Sequence, residues 1–231
     1  CHVLRYPPFY VTIKGLLDRG EIGEVTTINQ IENVGYWHQA HSFVRGNWRT
    51  TRETSPMILQ KSCHDMDIIL WLMGKNCKKV QSFGSLHHFN LENAPEGAPE
   101  RCLSNCPHAD TCLYYAPNLY MDMKRTGWPV DVITTDLSLE GRRKALEEGP
   151  YGRCVYHCDN NVVDHQVVSM QMENGATLTL TMCAFTTAGS RALTIMGTEG
   201  DIRADMSANT IRVCRFGGEP EVIDVTKIAD D

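Results

Sequence analysis

The sequence lacks the short motifs that announce common chemistries. It contains no G-x-G-x-x-G, no Walker A segment, no H-E-x-x-H and no G-x-S-x-G, so the usual signatures of a nucleotide loop, a zinc protease or a hydrolase elbow are missing. It has no excess of positive charge. Lys plus Arg number 22 against 28 Asp plus Glu, a net charge of −6, which argues against a broad grip on nucleic-acid phosphates or an anionic membrane. No apolar run approaches the roughly 18 residues of a membrane span, and no basic-then-apolar leader opens the chain. The expectation is a cytoplasmic protein with neither a nucleic-acid nor a membrane partner. An initiator Met is also missing: the chain opens CHVLRYPPFY and closes on KIADD directly after a strand-like stretch, and so reads as a piece of a longer protein.

What is present is an ordinary globular composition, 231 residues with 42% hydrophobic and 22% charged, together with ten cysteines that need a reason. Cys1, Cys63, Cys77, Cys183 and Cys214 are scattered through apolar or strand-like sequence and are expected to be buried thiols acting as small hydrophobes. The other five form two knots, Cys102-x3-Cys106-x5-Cys112 and Cys154-x3-Cys158. An odd number without a secretory leader fits a disulfide ladder poorly. Four thiolates would satisfy a structural Zn²⁺, while an iron–sulfur cluster or plain reduced thiols remain alternatives.

Hydrophobic spacing predicts a helix over 9–19, a strand over about 24–37, an aromatic, polar loop over 36–55, and a single helix from Pro56 to Gly74. The buried stripe of that helix is expected to be Met66, Ile69, Leu70 and Met73. A strand over 78–86 precedes a polar, Pro-broken insertion over about 90–160, in which only 139–149 looks helical. Six strand-like segments follow, separated by turn signals such as Asn174-Gly175, Glu199-Gly200 and Gly217-Gly218, and read as an antiparallel meander. The fold class is α+β: helices first, then a large, mostly antiparallel sheet.

Two stretches could carry chemistry. At 100° per residue Lys61, His64 and Asp65 share one side of the 56–74 helix, with Gln60 and Asp67 flanking His64. Such a His could exchange a proton while Lys61 holds a substrate oxygen, although a solvated polar face is the commoner meaning of these residue types alone. The loop carrying Tyr36, Trp37, His38, His41, Arg45, Trp48 and Arg49 suits a polyol or sugar, with rings stacking on C–H faces and polar groups bonding hydroxyls. A loop merely anchored by its aromatics is the plainer alternative.

VLRYPPF, IKGLLDRGEIGEV, NVGYWHQAHSFVRGNWR, SPMILQKSCHDMDIILWLMG and MGTEGDIRADM together resemble the Gfo/Idh/MocA oxidoreductase family, in order and spacing, over nearly all of the chain outside the insertion. The resemblance implies that 1–231 is the C-terminal substrate and oligomerisation domain of a two-domain enzyme. It would be an open-faced sheet with helices on one face, like the C-terminal domain of dihydrodipicolinate reductase. The NAD- or NADP-binding Rossmann domain, and the family's catalytic Lys in a Glu-Lys-Pro segment, would lie upstream. The family's Asp-x-x-x-His pattern lands on Gln60 and His64, so His64 matches and Gln60 departs, with Lys61 beside it. Arg5, Trp48 and Arg49 match positions near cofactor or substrate. The resulting expectation is an NAD(P)-dependent dehydrogenase of a sugar or polyol, forming homo-oligomers through the sheet. His64 and Lys61 would be catalytic, Tyr36, His38, His41, Arg45 and Trp48 would grip substrate, and Arg5 and Arg49 would touch the cofactor. Cys102, Cys106, Cys112, Cys154 and Cys158 would hold a structural metal. A non-catalytic sugar sensor and a metal-responsive module are the rival readings.

Overall fold

The computed structural model describes residues 2–228; Cys1 lies outside them. The chain divides into two compact units, 1–35 with 58–84 and 165–231, and 36–57 with 85–164.

The first unit is an eight-stranded sheet in the order β2-β3-β4-β1-β5-β6-β7-β8. Its strands are β1 (Val25–Asn33), β2 (Cys77–Ser85), β3 (His165–Met172), β4 (Thr177–Cys183), β5 (Ser190–Gly197), β6 (Gly200–Asp205), β7 (Thr210–Arg215) and β8 (Glu221–Asp224). The late strands are not a simple meander. β1 inserts between β4 and β5, parallel to the first and antiparallel to the second. The two helices of this unit are α1 (Pro8–Asp18) and α2 (Cys63–Met73). Pro8 starts α1 where a missing N–H costs nothing. Its Phe9, Tyr10, Ile13 and Leu16 are buried at helical spacing, in one core with Ile68, Ile69 and Leu72 of α2 and Ile28, Leu178, Ile195, Ile202 and Ile211 of the sheet. Each such side chain contributes on the order of 2 kcal/mol by leaving water. Edge strand β2 is exposed at every position.

The expected single helix over 56–74 is in fact two. Met57–Gln60 forms a short turn of helix, and α2 restarts at Cys63 because the Ser62 carbonyl accepts the N–H groups of Asp65 and Met66 at 3.0 and 2.9 Å. Gly74 ends α2 in the left-handed conformation, φ 64°, with its N–H on the Leu70 carbonyl, where a side chain would be strained. The buried stripe also differs from the expected one. Asp65, Ile68, Ile69, Leu72 and Met73 are buried, whereas Met66 and Leu70 are only half-buried. A carboxylate can occupy the inner side because Gln30 and Arg191, on the sheet, bond it there.

The second unit is built from the aromatic segment and the Cys-rich stretch together. The aromatic segment is not a loop: Tyr36–His38 is helical and Gln39–Arg45 continues as a π-helix, a form that recurs at functional sites. The long helix of this unit, α3 (Leu139–Glu148), was legible in sequence and is capped by Ser138, whose side chain accepts from the Gly141 N–H. Cys102, Ala116, Tyr120, Val130, Leu146 and Tyr151 form its small core. At its centre Arg142 is fully buried and donates to the carbonyls of Tyr120, Asp122, Arg125 and Leu137.

The scattered cysteines are not the buried hydrophobes expected of them. Cys77 is exposed and Cys63, Cys183 and Cys214 are half-buried, since each sits at a strand end or on the partly wet side of a helix.

Candidate functional site

In the first unit the chemistry gathers where α2 begins against the inner face of β1. Along β1 the alternation that buries Ile28 also buries Gln30 and Glu32, so two polar side chains point at the helix start. Glu32 lies opposite Arg191 in the β1–β5 register, and its carboxylate meets the Arg191 Nε at 2.8 Å. Arg191 also bonds Asp65 at 2.8 and 3.2 Å, and Gln30 Nε2 donates to Asp65 at 2.6 Å. Lys61, raised off the helix by the break at Ser62, places its Nζ 3.0 Å from the other Glu32 oxygen. Two carboxylates and two cations therefore balance. Burial, and then Asp65, push the Glu32 carboxyl up against the pull of Arg191 and Lys61; burial and the same two carboxylates push the Tyr10 hydroxyl up.

His64 stands half-buried beside this network. Its Nδ1 lies 3.1 Å from the Lys61 carbonyl. A carbonyl can only accept, so Nδ1 carries the proton and Nε2 keeps its lone pair. The structure thus brings together Lys61 and His64, as read from sequence, with Glu32, Arg191 and Gln30, which sequence reasoning missed. The available signal was β1's alternation, which carries two polar residues on its buried side.

Arg5 commits its fork to Asp67, Nε to Oδ2 at 2.8 Å and Nη2 to Oδ1 at 2.5 Å.

In the second unit the sequence-predicted sugar contacts separate into two groups. Tyr36 and His38 are half-buried and Trp48 is exposed. His41 and Arg45, by contrast, are interior, each 2% exposed. His41 Nδ1 bonds the Tyr120 hydroxyl at 2.7 Å and its ring stacks on Tyr151. Burial, then His38 and Arg45, lower its pKa to about 4. Arg45 donates to the carbonyls of Arg153 and Tyr114 at 2.7 and 2.6 Å. Both face inward because the π-helix turns its polar residues toward the Cys-rich stretch. Trp128, from a distant part of the sequence, is half exposed at 51% and packs with its ring centroid 5.2 Å from Trp37 and 5.0 Å from His38; nothing local marked it. Arg49 pairs with Asp159 at 2.8 Å.

Of the knotted cysteines, Cys102, Cys106, Cys112 and Cys154 line one cavity of about 20 Å³. Cys158 does not, and its thiol lies 3.2 Å from the Cys154 carbonyl. Burial pushes the Cys154 thiol up to about 11 and also raises Cys112 and Cys158. Among the described residues no group of three or more His, Cys, Asp or Glu side chains is arranged to hold a metal ion as it stands, so the expected zinc has no preformed ligand set. Among the same residues no helix is long and apolar enough to cross a membrane.

Comparison with known proteins gives a consistent picture. Residues 14–227 match the model described as the oxidoreductase family, C-terminal alpha/beta domain. A Bacillus subtilis (strain 168) protein provisionally named an oxidoreductase, YteT, is 25% identical over 205 residues, covering 87% of this chain and 46% of its own length. Among solved structures, levoglucosan dehydrogenase in complex with NADH and levoglucosan aligns with a TM-score of 0.58 at 13% identity, over 97% of this chain and 46% of that one. An oxidoreductase structure from Thermotoga maritima aligns with a TM-score of 0.54 at 16% identity, over 95% and 46%. At such identities the structures establish the shared fold. The chain spans less than half the length of these relatives.

Proposed function

The chain belongs to the Gfo/Idh/MocA oxidoreductase family as a C-terminal alpha/beta domain, and from that premise we propose that it is the substrate-handling part of an NAD(P)-dependent dehydrogenase of a sugar, polyol or related hydroxylated compound. The two arginines that the resemblance places near the cofactor, Arg5 and Arg49, are each held by a carboxylate of their own unit, and no glycine fingerprint is present. On this reading the nicotinamide nucleotide is held by the part of the protein that this chain does not span, and it supplies the hydride acceptor.

The protein's own share is proton handling and orientation. His64 Nε2, left as an acceptor by the Nδ1–H bond to the Lys61 carbonyl, takes the proton of a substrate hydroxyl. The Lys61 ammonium, held by Glu32, has N–H groups left to donate to a substrate oxygen. The 3.1 Å approach of the His64 Nδ1 to the Lys61 carbonyl is the observation that carries the proposal. In the second unit Tyr36, His38 and Trp48 are the proposed carbohydrate contacts, a ring-and-donor combination suited to sugars. The levoglucosan and L-sorbose complexes of levoglucosan dehydrogenase support that substrate class. Association of copies through the sheet, whose edge strand leaves Val80 and Phe83 exposed, is part of the same proposal.

The test is NAD(P) reduction by the full-length protein across a panel of sugars and polyols. His64→Ala should lower turnover about 100-fold or more, and turnover unchanged by that substitution would remove His64 from the mechanism. Gln60, standing where the family pattern has Asp, favours one rival, a sugar-binding homologue without turnover. Sugar binding by calorimetry with no cofactor reduction would establish that rival instead.

A further inference from the structure

In the second unit, backbone pairing draws two cysteine segments together across some fifty residues of sequence. The Cys102 N–H donates to the Gly152 carbonyl at 2.9 Å and the Cys154 N–H to the Glu100 carbonyl at 2.8 Å, while Arg101 and Arg153 form an isolated antiparallel bridge. Cys102 and Cys154 therefore sit on adjacent chains. Cys106 and Cys112 come from the turns that follow Cys102, where the Ala109 N–H bonds the Cys106 carbonyl and the Cys112 N–H bonds that of His108. All four line the same small cavity, and so does Arg45.

Arg45 is the second observation. It is 2% exposed, its partners are two backbone carbonyls, the Cys102 sulfur 3.7 Å from Nη2 and the Tyr120 side chain, and it forms no ion pair among the described residues. A guanidinium taken out of water without an anion is costly, by several kcal/mol even after relaxation. The side chains that share the cavity with it are the four thiols of Cys102, Cys106, Cys112 and Cys154.

We propose that Cys102, Cys106, Cys112 and Cys154 bind one thiophilic divalent cation, Zn²⁺, as four thiolates, with Cys158 outside the set. Four S–H groups release four protons to solvent as four S–Zn bonds form; no electron is transferred. The resulting centre carries a charge of −2, which gives Arg45 its counter-charge. The cavity that the four thiols line is small, about 20 Å³. Coordination at about 2.3 Å requires the thiols to turn inward from where they stand. One χ1 change swings a sulfur by roughly 3 Å, and Cys106 and Cys112 are only half-buried. A closed site of this kind orders a loop-rich segment.

The test is metal analysis of the full-length protein purified without added metal, followed by titration of the metal-stripped protein with Co²⁺. Expected are one zinc per chain and the intense visible and near-ultraviolet bands of tetrahedral cobalt thiolate. Cys154→Ser should weaken binding by about tenfold or more, and so should Cys106→Ser, whose half-exposed position makes misfolding a poor explanation. Cys158→Ser should bind as the parent does. Substoichiometric zinc with no cobalt spectrum, bound iron with sulfide, or equal losses for Cys158→Ser and Cys154→Ser would each overturn the proposal. The readout is independent of activity, so its failure leaves the dehydrogenase reading standing.

Discussion

The Lys61 ammonium lies 3.0 Å from a Glu32 carboxylate that is almost wholly enclosed, and a residue singled out for chemistry is thereby tied to one marked only by the alternation of β1. Glu32 in turn meets Arg191, and Arg191 meets Asp65. The four charges balance only as a set, so removing one is worse than removing a matched pair.

Glu32→Gln keeps the shape but strands Lys61 and leaves Arg191 with Asp65 alone. The expected loss of unfolding free energy is about 3 kcal/mol, read from urea denaturation. The double variant Glu32→Gln with Lys61→Met should recover part of that loss. A double variant no more stable than the single would show that the pair is not coupled.

His41 makes the stability of the second unit depend on pH. Its pKa in the fold, about 4, lies below the value of about 6.5 for a free imidazole. A depressed histidine contributes its full stability above the unfolded pKa, and that contribution is lost as pH falls from about 6.5 toward 4. The expected decline is on the order of 3 kcal/mol. Denaturation midpoints measured from pH 7 to pH 4 should show it, and His41→Leu, although less stable at neutral pH, should be flatter over that interval.

Arg142 organises four backbone carbonyls from inside the second unit. Arg142→Met fills similar space but leaves those carbonyls without their donors, an expected cost of at least about 3 kcal/mol. Arg142→Lys should not rescue the fold, because an ammonium lacks the planar fork. Hydrogen exchange through 120–148 would report both; protection unchanged from the parent would contradict the role.

Arg49→Ala is expected to do little. Its partner Asp159, whose carboxyl is held well below the usual carboxylate range chiefly by the bond from Arg49, is 56% exposed at the side chain and keeps a second bond from Arg153 at 2.7 Å. An exposed pair of this kind is worth about 1 kcal/mol at most. A larger thermal destabilisation would show that Arg49 supports more than its ion pair.

The sequence by itself determined the fold class, the family and the positions of most strands. These depend on period, turn residues and the order of short blocks, all of which are local and printed along the chain. It also marked His64 as a candidate, through the resemblance of its helix to the family's pattern. Tertiary structure decided what those residues do. The break at Ser62 could not be read from a continuous apolar pattern, since the turn is held by carbonyl acceptance rather than by a marker residue. Asp65 became an inner-face group only because Gln30 and Arg191 lie across from it. His41 and Arg45 read as ligand-gripping side chains, and Trp128 as nothing in particular, until packing buried the first two and set the third beside Trp37. The proposed choice of four cysteines from five came from the cavity that Cys102, Cys106, Cys112 and Cys154 line together. Pairings between distant segments depend on which surfaces the folded chain brings together, and no window of sequence contains both partners.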